Sequence, residues 1–104
     1  MKILNKEIEF SFEDAENMDK VQSLDLKYQE KLQQAKTTVE QCQIYKEFFD
    51  KLIGEGTSKE IFGDKNNILQ IIDAYQDVVN EAERVATKIN EKSAKMKKKY
   101  ERYK

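Results

Sequence analysis

The sequence predicts a mainly α-helical protein. A short N-terminal β-hairpin packs on two long antiparallel helices, the first bent near Thr37, with a short corner helix at residues 57–62. Three observations carry this reading. Apolar residues recur every three or four positions over two long stretches, the spacing of an amphipathic helix. All three glycines, Gly54, Gly56 and Gly63, fall between those stretches, and the chain has no proline. Only the first twelve residues alternate at period two.

Ile8, Phe10 and Phe12 are separated by Glu9 and Ser11, so "EIEFSF" reads as a half-buried strand. Asn5-Lys6 divides it from "KIL", and Asn tolerates positive φ, so a tight hairpin is predicted there. Two strands alone are not stable, so the hairpin must lie against the helices.

From Asp14 the period changes. Ala15, Met18, Val21, Leu24, Tyr28, Leu32, Ala35, Val39, Cys42, Tyr45, Phe49 and Leu52 form one stripe, with Asp14 or Glu13 as the acid at its start. The stretch reads as one helix of about 60 Å at 1.5 Å per residue, or as two helices. The β-branched pair Thr37-Thr38, and the capping-box spacing from Thr37 to Glu40, favour a bend near Thr37.

The glycines then have structural work. Gly54 follows "FFDKLI", where a left-handed residue can satisfy the last carbonyls of a helix. Thr57 and Glu60 have capping-box spacing, so "TSKEIF" reads as a short helix with Gly56 in the linker before it. Gly63 stops that helix, and Asp64 or Asn66 caps the next. The last stripe runs Ile68, Ile71, Ile72, Tyr75, Val78, Val79, Ala82, Val85, Ala86, Ile89 and then thins to Met96, Tyr100 and Tyr103. Packing should therefore stop near Ile89 or Met96, with the helix projecting or fraying beyond. The division is a helical domain with its hairpin over residues 1–90 and a basic tail over 91–104.

Charge follows the same division. From Ile89 onward seven basic residues face two acidic ones, whereas the preceding body carries 12 basic and 18 acidic residues. An acidic body with a basic tail suits a tail that docks on something. Lysines near a helix C-terminus also complement the helix dipole without any partner.

Several function classes are disfavoured. The chain has no His, so it lacks an ordinary neutral-pH base and an imidazole ligand. Cys42 is the only cysteine and lies on the apolar stripe, which reads as an inert buried thiol. "GEGTSK" has neither Walker nor dinucleotide-loop spacing, and "DKNNILQIIDAY" lacks the Gly and the Glu of a calcium loop. No catalytic, metal or cofactor residues are therefore assigned, and no enzyme activity is expected. No apolar run reaches a membrane span of about 20 residues, and "MKILNKEIEF" has no signal-peptide core, so a reducing cytoplasm is expected. "TSKEIFGDKNNILQIIDAY" has a helix-turn-helix outline, but its second helix carries Asp73 and Asp77 and no Arg. The acidic body would repel a duplex.

"FFDKLIGEGTSKEIFGDKNN" followed by "ILQIIDAYQDVV", with "DAENM" at residues 14–18, resembles a family of small proteins from tailed phages and prophages of low-GC Gram-positive bacteria. The chain departs from the pattern at its end, where "KMKKKYERYK" replaces an Arg-rich tail. The resemblance implies a tail-assembly chaperone that holds a tail protein, such as the tape measure, in the bacterial host cytoplasm. The residues themselves offer as partner contacts the aromatics Tyr45 and Phe48, the latter reading equally well as core together with Phe49, and Lys95, Lys97, Lys98, Lys99, Tyr100, Arg102 and Tyr103 of the tail. Stripes of this length also allow a homo-oligomer. Two alternatives stand beside it: a phage-encoded inhibitor of a host defence protein, and a nucleic-acid binder acting through the tail.

Overall fold

Leu4 and Asn5 both take left-handed backbone, with φ of 51° and 65°. That pair is the two-residue turn whose twist matches a hairpin. It joins β1 (Lys2–Ile3) to β2 (Lys6–Glu7), antiparallel, with Lys2 opposite Glu7 and Ile3 opposite Lys6. The turn lies one residue earlier than predicted. The strand is also shorter: regular pairing ends at Glu7, followed by one more bond from Ile8 N–H to the Met1 carbonyl, 2.8 Å. The alternation still describes burial, since Ile8 and Phe12 are buried and Phe10 is half-buried.

The computed structural model describes residues 1–101 and is mainly helical, with the hairpin packed on the helices. Helix α1 (Ala15–Gln34) starts at Asp14, whose carbonyl accepts the first backbone bonds, from Asn17 and Met18. It ends where Ala35 turns extended, and α2 (Thr38–Leu52) begins after Thr37. Thr37 Oγ1 accepts the Glu40 N–H at 3.1 Å, the predicted cap, while the Glu40 carboxylate accepts the Lys36 N–H at 3.0 Å. The break is a full reversal, sharper than a bend. Tyr28 of α1 meets Phe48 of α2, and Lys31 pairs with Glu47 at 3.6 Å, which a continuous helix could not allow. The antiparallel partner of α1 is also the last helix, α4 (Ile68–Glu101). Asp25 and Gln29 reach Tyr75 of α4, and Val21 and Gln22 share a crevice with Val79, Ala82 and Glu83.

Between α2 and α4 lies α3 (Thr57–Phe62), with the predicted bounds but different caps. Gly54 does not take the left-handed helical values expected of it; its φ is 149°. Gly56, with φ 92°, occupies the N-cap position, so Thr57 is already inside the helix and makes no capping box with Glu60. Thr57 Oγ1 instead donates to the Gly54 carbonyl, 2.6 Å away. The side-chain cap comes from α2: Asp50 accepts both the Ser58 N–H at 2.8 Å and the Ser58 hydroxyl at 3.0 Å. Gly63 ends the helix with φ 64° and ψ −138°, a region left-handed enough that a side chain is strained there. Neither Asp64 nor Asn66 caps α4. Asn67 does, its Oδ1 accepting the Gln70 N–H at 3.2 Å, because it sits three residues ahead of that donor.

One core holds these elements together. Ile3, Phe12, Cys42, Phe48, Phe49, Leu52, Ile71 and Val78 are its largest fully buried side chains. Edge-on ring contacts run from Tyr28 through Phe48 and Phe49 to Phe62, with centroids 5.4–5.9 Å apart. The hairpin is fixed on this core by polar contacts as well. Leu4 N–H donates to Asp77 of α4 at 2.9 Å, and Lys6 Nζ donates to the carbonyls of Glu60 and Ile61 at the end of α3.

Candidate functional site

Helix α4 is 34 residues long, about 50 Å at 1.5 Å per residue, and only its first half is packed. Ile71, Ala74, Val78 and Val85 are buried, and Tyr75, Ala82 and Ala86 are half-buried. From Thr87 to Glu101 every residue is exposed. Packing stops slightly before Ile89 and well before Met96, the two predicted limits, because α1 starts there. Glu13, just ahead of α1, lines a crevice with Val85, Lys88, Ile89, Glu91, Lys92 and Lys95. Beyond Glu13 there is no α1 left to cover α4, and the molecule extends to 58 Å along its longest axis.

The seam itself does not stop with its cover. Tyr75, Ala82, Ile89 and Met96 fall seven residues apart, and so do Ile71, Val78, Val85, Lys92 and Lys99. Alternating steps of three and four keep one face toward one partner. In the packed half both series meet the core. In the projecting half one series stays apolar, with Ile89 50% and Met96 70% exposed, and the other becomes lysine. At about 100° per residue, Ile89, Met96 and Tyr100 line one edge of the face, while Lys88, Lys92, Lys95 and Lys99 line the other. Among the described residues none of these four lysines forms an ion pair.

The residues singled out from the sequence separate accordingly. Lys95, Lys99 and Tyr100 belong to the exposed face. Lys97 and Lys98 are exposed but lie off it, toward the back of the helix. Arg102 and Tyr103 lie outside the described residues. Phe48 is corrected outright as a contact residue: it is 1% exposed and packs on Tyr28, Phe49 and Tyr75, so it has no surface to offer. Tyr45 is half-buried, with its ring 5.3 Å from Tyr75. Lys88, Ile89, Lys92 and Met96 were missed as site residues. The signal was present in the seven-residue register running into the lysine run.

The body that carries α4 is held by partly buried polar groups. The Tyr75 hydroxyl donates to Asp25 and accepts from Gln29 Nε2 at 2.9 Å, tying α1 to α4. Burial, then the bond to the Asp25 carboxylate, holds this phenol well above its usual pKa. Burial alone raises Tyr45. Tyr28 is pushed up to about 12, mainly by burial and further by the neighbouring Glu47. None of these tyrosines is near the exposed face, and each stays protonated at neutral pH. Among the described residues no three of Cys, Asp and Glu gather as metal ligands, and no helix is long and apolar enough to cross a membrane.

The chain belongs to a family described as "Family of unknown function (DUF6673)", matched over residues 4–104. No curated protein and no solved structure matches it. The DUF6673 match runs through the packed body and the projecting helix alike, so the exposed face lies within the matched span.

Proposed function

We propose that this protein is a non-enzymatic binding protein that holds a protein partner through a helical interface, in the manner of a phage tail-assembly chaperone. The observation that carries the reading is the projecting half of α4. Fifteen consecutive exposed residues, Thr87 to Glu101, keep the register of the buried seam. A helix with an apolar edge docks most naturally beside another amphipathic helix. A tape-measure protein, long and helical, would supply such a segment, and the resemblance to phage tail-module proteins points the same way. The host cytoplasm is where that assembly would occur.

The test is affinity capture from phage-infected cells, using the full chain and an Ile89→Glu/Met96→Glu variant. Capture of a tape-measure or tube protein by the wild type, lost in the variant, supports the reading. Capture of one host protein in stoichiometric amount instead, with no tail protein, overturns it in favour of an inhibitor.

A further inference from the structure

We infer that the partner segment is an acidic amphipathic helix, seated on α4 along the line that α1 vacates. This rests on the reading of α4 as a partner-binding helix and adds the chemistry of the occupant. Charge decides it. The exposed face carries Lys88, Lys92, Lys95 and Lys99 along one edge. Glu91 only borders that edge, and Glu101 lies on the opposite side of the helix. A second copy of α4 laid antiparallel on this face would set four lysines against four, and laid parallel would set lysines against Ile89 and Met96, so neither self-pairing satisfies both edges. A helix with Asp or Glu opposite the lysines and apolar residues opposite Ile89 and Met96 satisfies both edges at once.

Where the seam is last covered, the exposed acid Glu13 lines one crevice with Lys88, Lys92 and Lys95, without a formed ion pair to any of them. The partner helix would continue from that point along the face. The exposed stretch from Thr87 to Glu101 is about 21 Å long, room for a partner helix of roughly 15 residues. An anionic membrane is a poorer occupant, because an interfacial helix needs a broad apolar face and this one has lysine at every second seam position. A nucleic acid would use the lysines and leave Ile89 and Met96 unused.

The experiment uses the full chain and two synthetic 28-residue amphipathic peptides. They share a Leu/Ile core; one carries Glu at every flanking position and the other Lys. Binding is followed by fluorescence anisotropy. The acidic peptide should bind at least ten-fold more tightly than its basic twin, and less tightly as salt is raised. The variant Lys88→Glu/Lys92→Glu/Lys95→Glu/Lys99→Glu should reverse the preference. Equal binding of the two peptides, or none, overturns the inference. So does tighter, lysine-dependent binding of a 20-base-pair duplex or of phosphatidylserine vesicles. Circular dichroism melting checks each variant's fold, which should hold because every altered side chain is exposed. The quadruple variant is also carried through the capture from infected cells. If Ile89→Glu/Met96→Glu loses the tail protein but the lysine variant keeps it, α4 binds a partner and the partner is not acidic. If neither loses it, both readings fall.

Discussion

Replacing Tyr28 by Phe should stabilise the protein, and by more at alkaline pH. The Tyr28 ring is 2% exposed, lies edge-on to Phe48 at 5.9 Å, and has Lys31 Nζ 4.8 Å from its centroid. A phenylalanine keeps all of these contacts. Only the hydroxyl is lost; it is buried and makes no hydrogen bond of ordinary geometry among the described residues, although the nearby Glu47 carboxylate adds to burial in raising its pKa. Burying an unpartnered hydroxyl costs about 1–3 kcal/mol, so Tyr28→Phe should gain about 1 kcal/mol at pH 7. For a domain of this size that raises Tm by about 4 °C. The pH dependence follows from the raised phenol, about 12 in the fold against 10.0 ordinarily. The native state keeps its proton where the unfolded chain loses it. This contribution is therefore complete below pH 10 and is lost as pH climbs toward 12. At about 1.4 kcal/mol per pH unit, the advantage of the variant should widen by roughly that much by pH 11. Urea unfolding of both proteins at pH 7, 9 and 11 measures it. A constant difference from pH 8 to 11 would refute the linkage argument. A less stable variant at pH 7 would show that the hydroxyl donates to Glu47 in solution.

Asp50→Ala should cost about 1–3 kcal/mol, because it strands the Ser58 N–H and hydroxyl at the start of α3. Asp50→Asn, which keeps one acceptor oxygen, should lose less, and equal melting of the two variants would rule out the cap. Gly63→Ala meets no atom within 4 Å of the new Cβ, so its whole cost is conformational, about 1–3 kcal/mol. An unchanged Tm would mean that Gly63 does not hold its positive φ in solution. Phe49→Ala removes a fully buried ring between Phe48 and Phe62 and should cost about 3–5 kcal/mol in urea unfolding. A loss under 1 kcal/mol would mean that this part of the core collapses freely around the cavity.

Periodicity was the legible part of the fold. The switch from period two to 3.6 near Asp14 and the glycines at 54 to 63 locate the hairpin, the helices and the corner, because each reports a local preference. What local preference could not report is how the elements cap and cover one another. Asp50 caps α3 from a different helix, so Thr57 and Glu60 matched a capping pattern that the chain does not use. Thr37 has the spacing of a cap, but whether a capped break bends or reverses depends on the tertiary burial of Tyr28 against Phe48. Phe48 and Phe49 show the same limit. Adjacent residues on a helix point about 100° apart, so one of the pair is normally outside. Both are buried here because α2 is covered on two sides, by α1 and by α4.

That double cover also bears on where binding can occur. The aromatic residues that would make a sticky surface on a less enclosed helix are taken up inside the body: Phe48, Phe49, Phe62 and Tyr28 touch one another and not solvent. The body therefore acts as a mount. It fixes the direction of α4 through the Tyr75 bonds to Asp25 and Gln29 and through Asp77 under the hairpin. A helix propagated from a packed base needs no new nucleation, so the projecting half of α4 is helical without any partner. Pre-ordering removes part of the entropic cost of association and leaves more of the contact energy as affinity. Residues that served only as a solvated helix end would be free to abandon the seven-residue register, yet Ile89 and Met96 keep it while the intervening positions turn to lysine. Under the proposed reading, apolar spacing inherited from the core, combined with lysines that repel an antiparallel copy of α4, would favour a more acidic helix as the occupant.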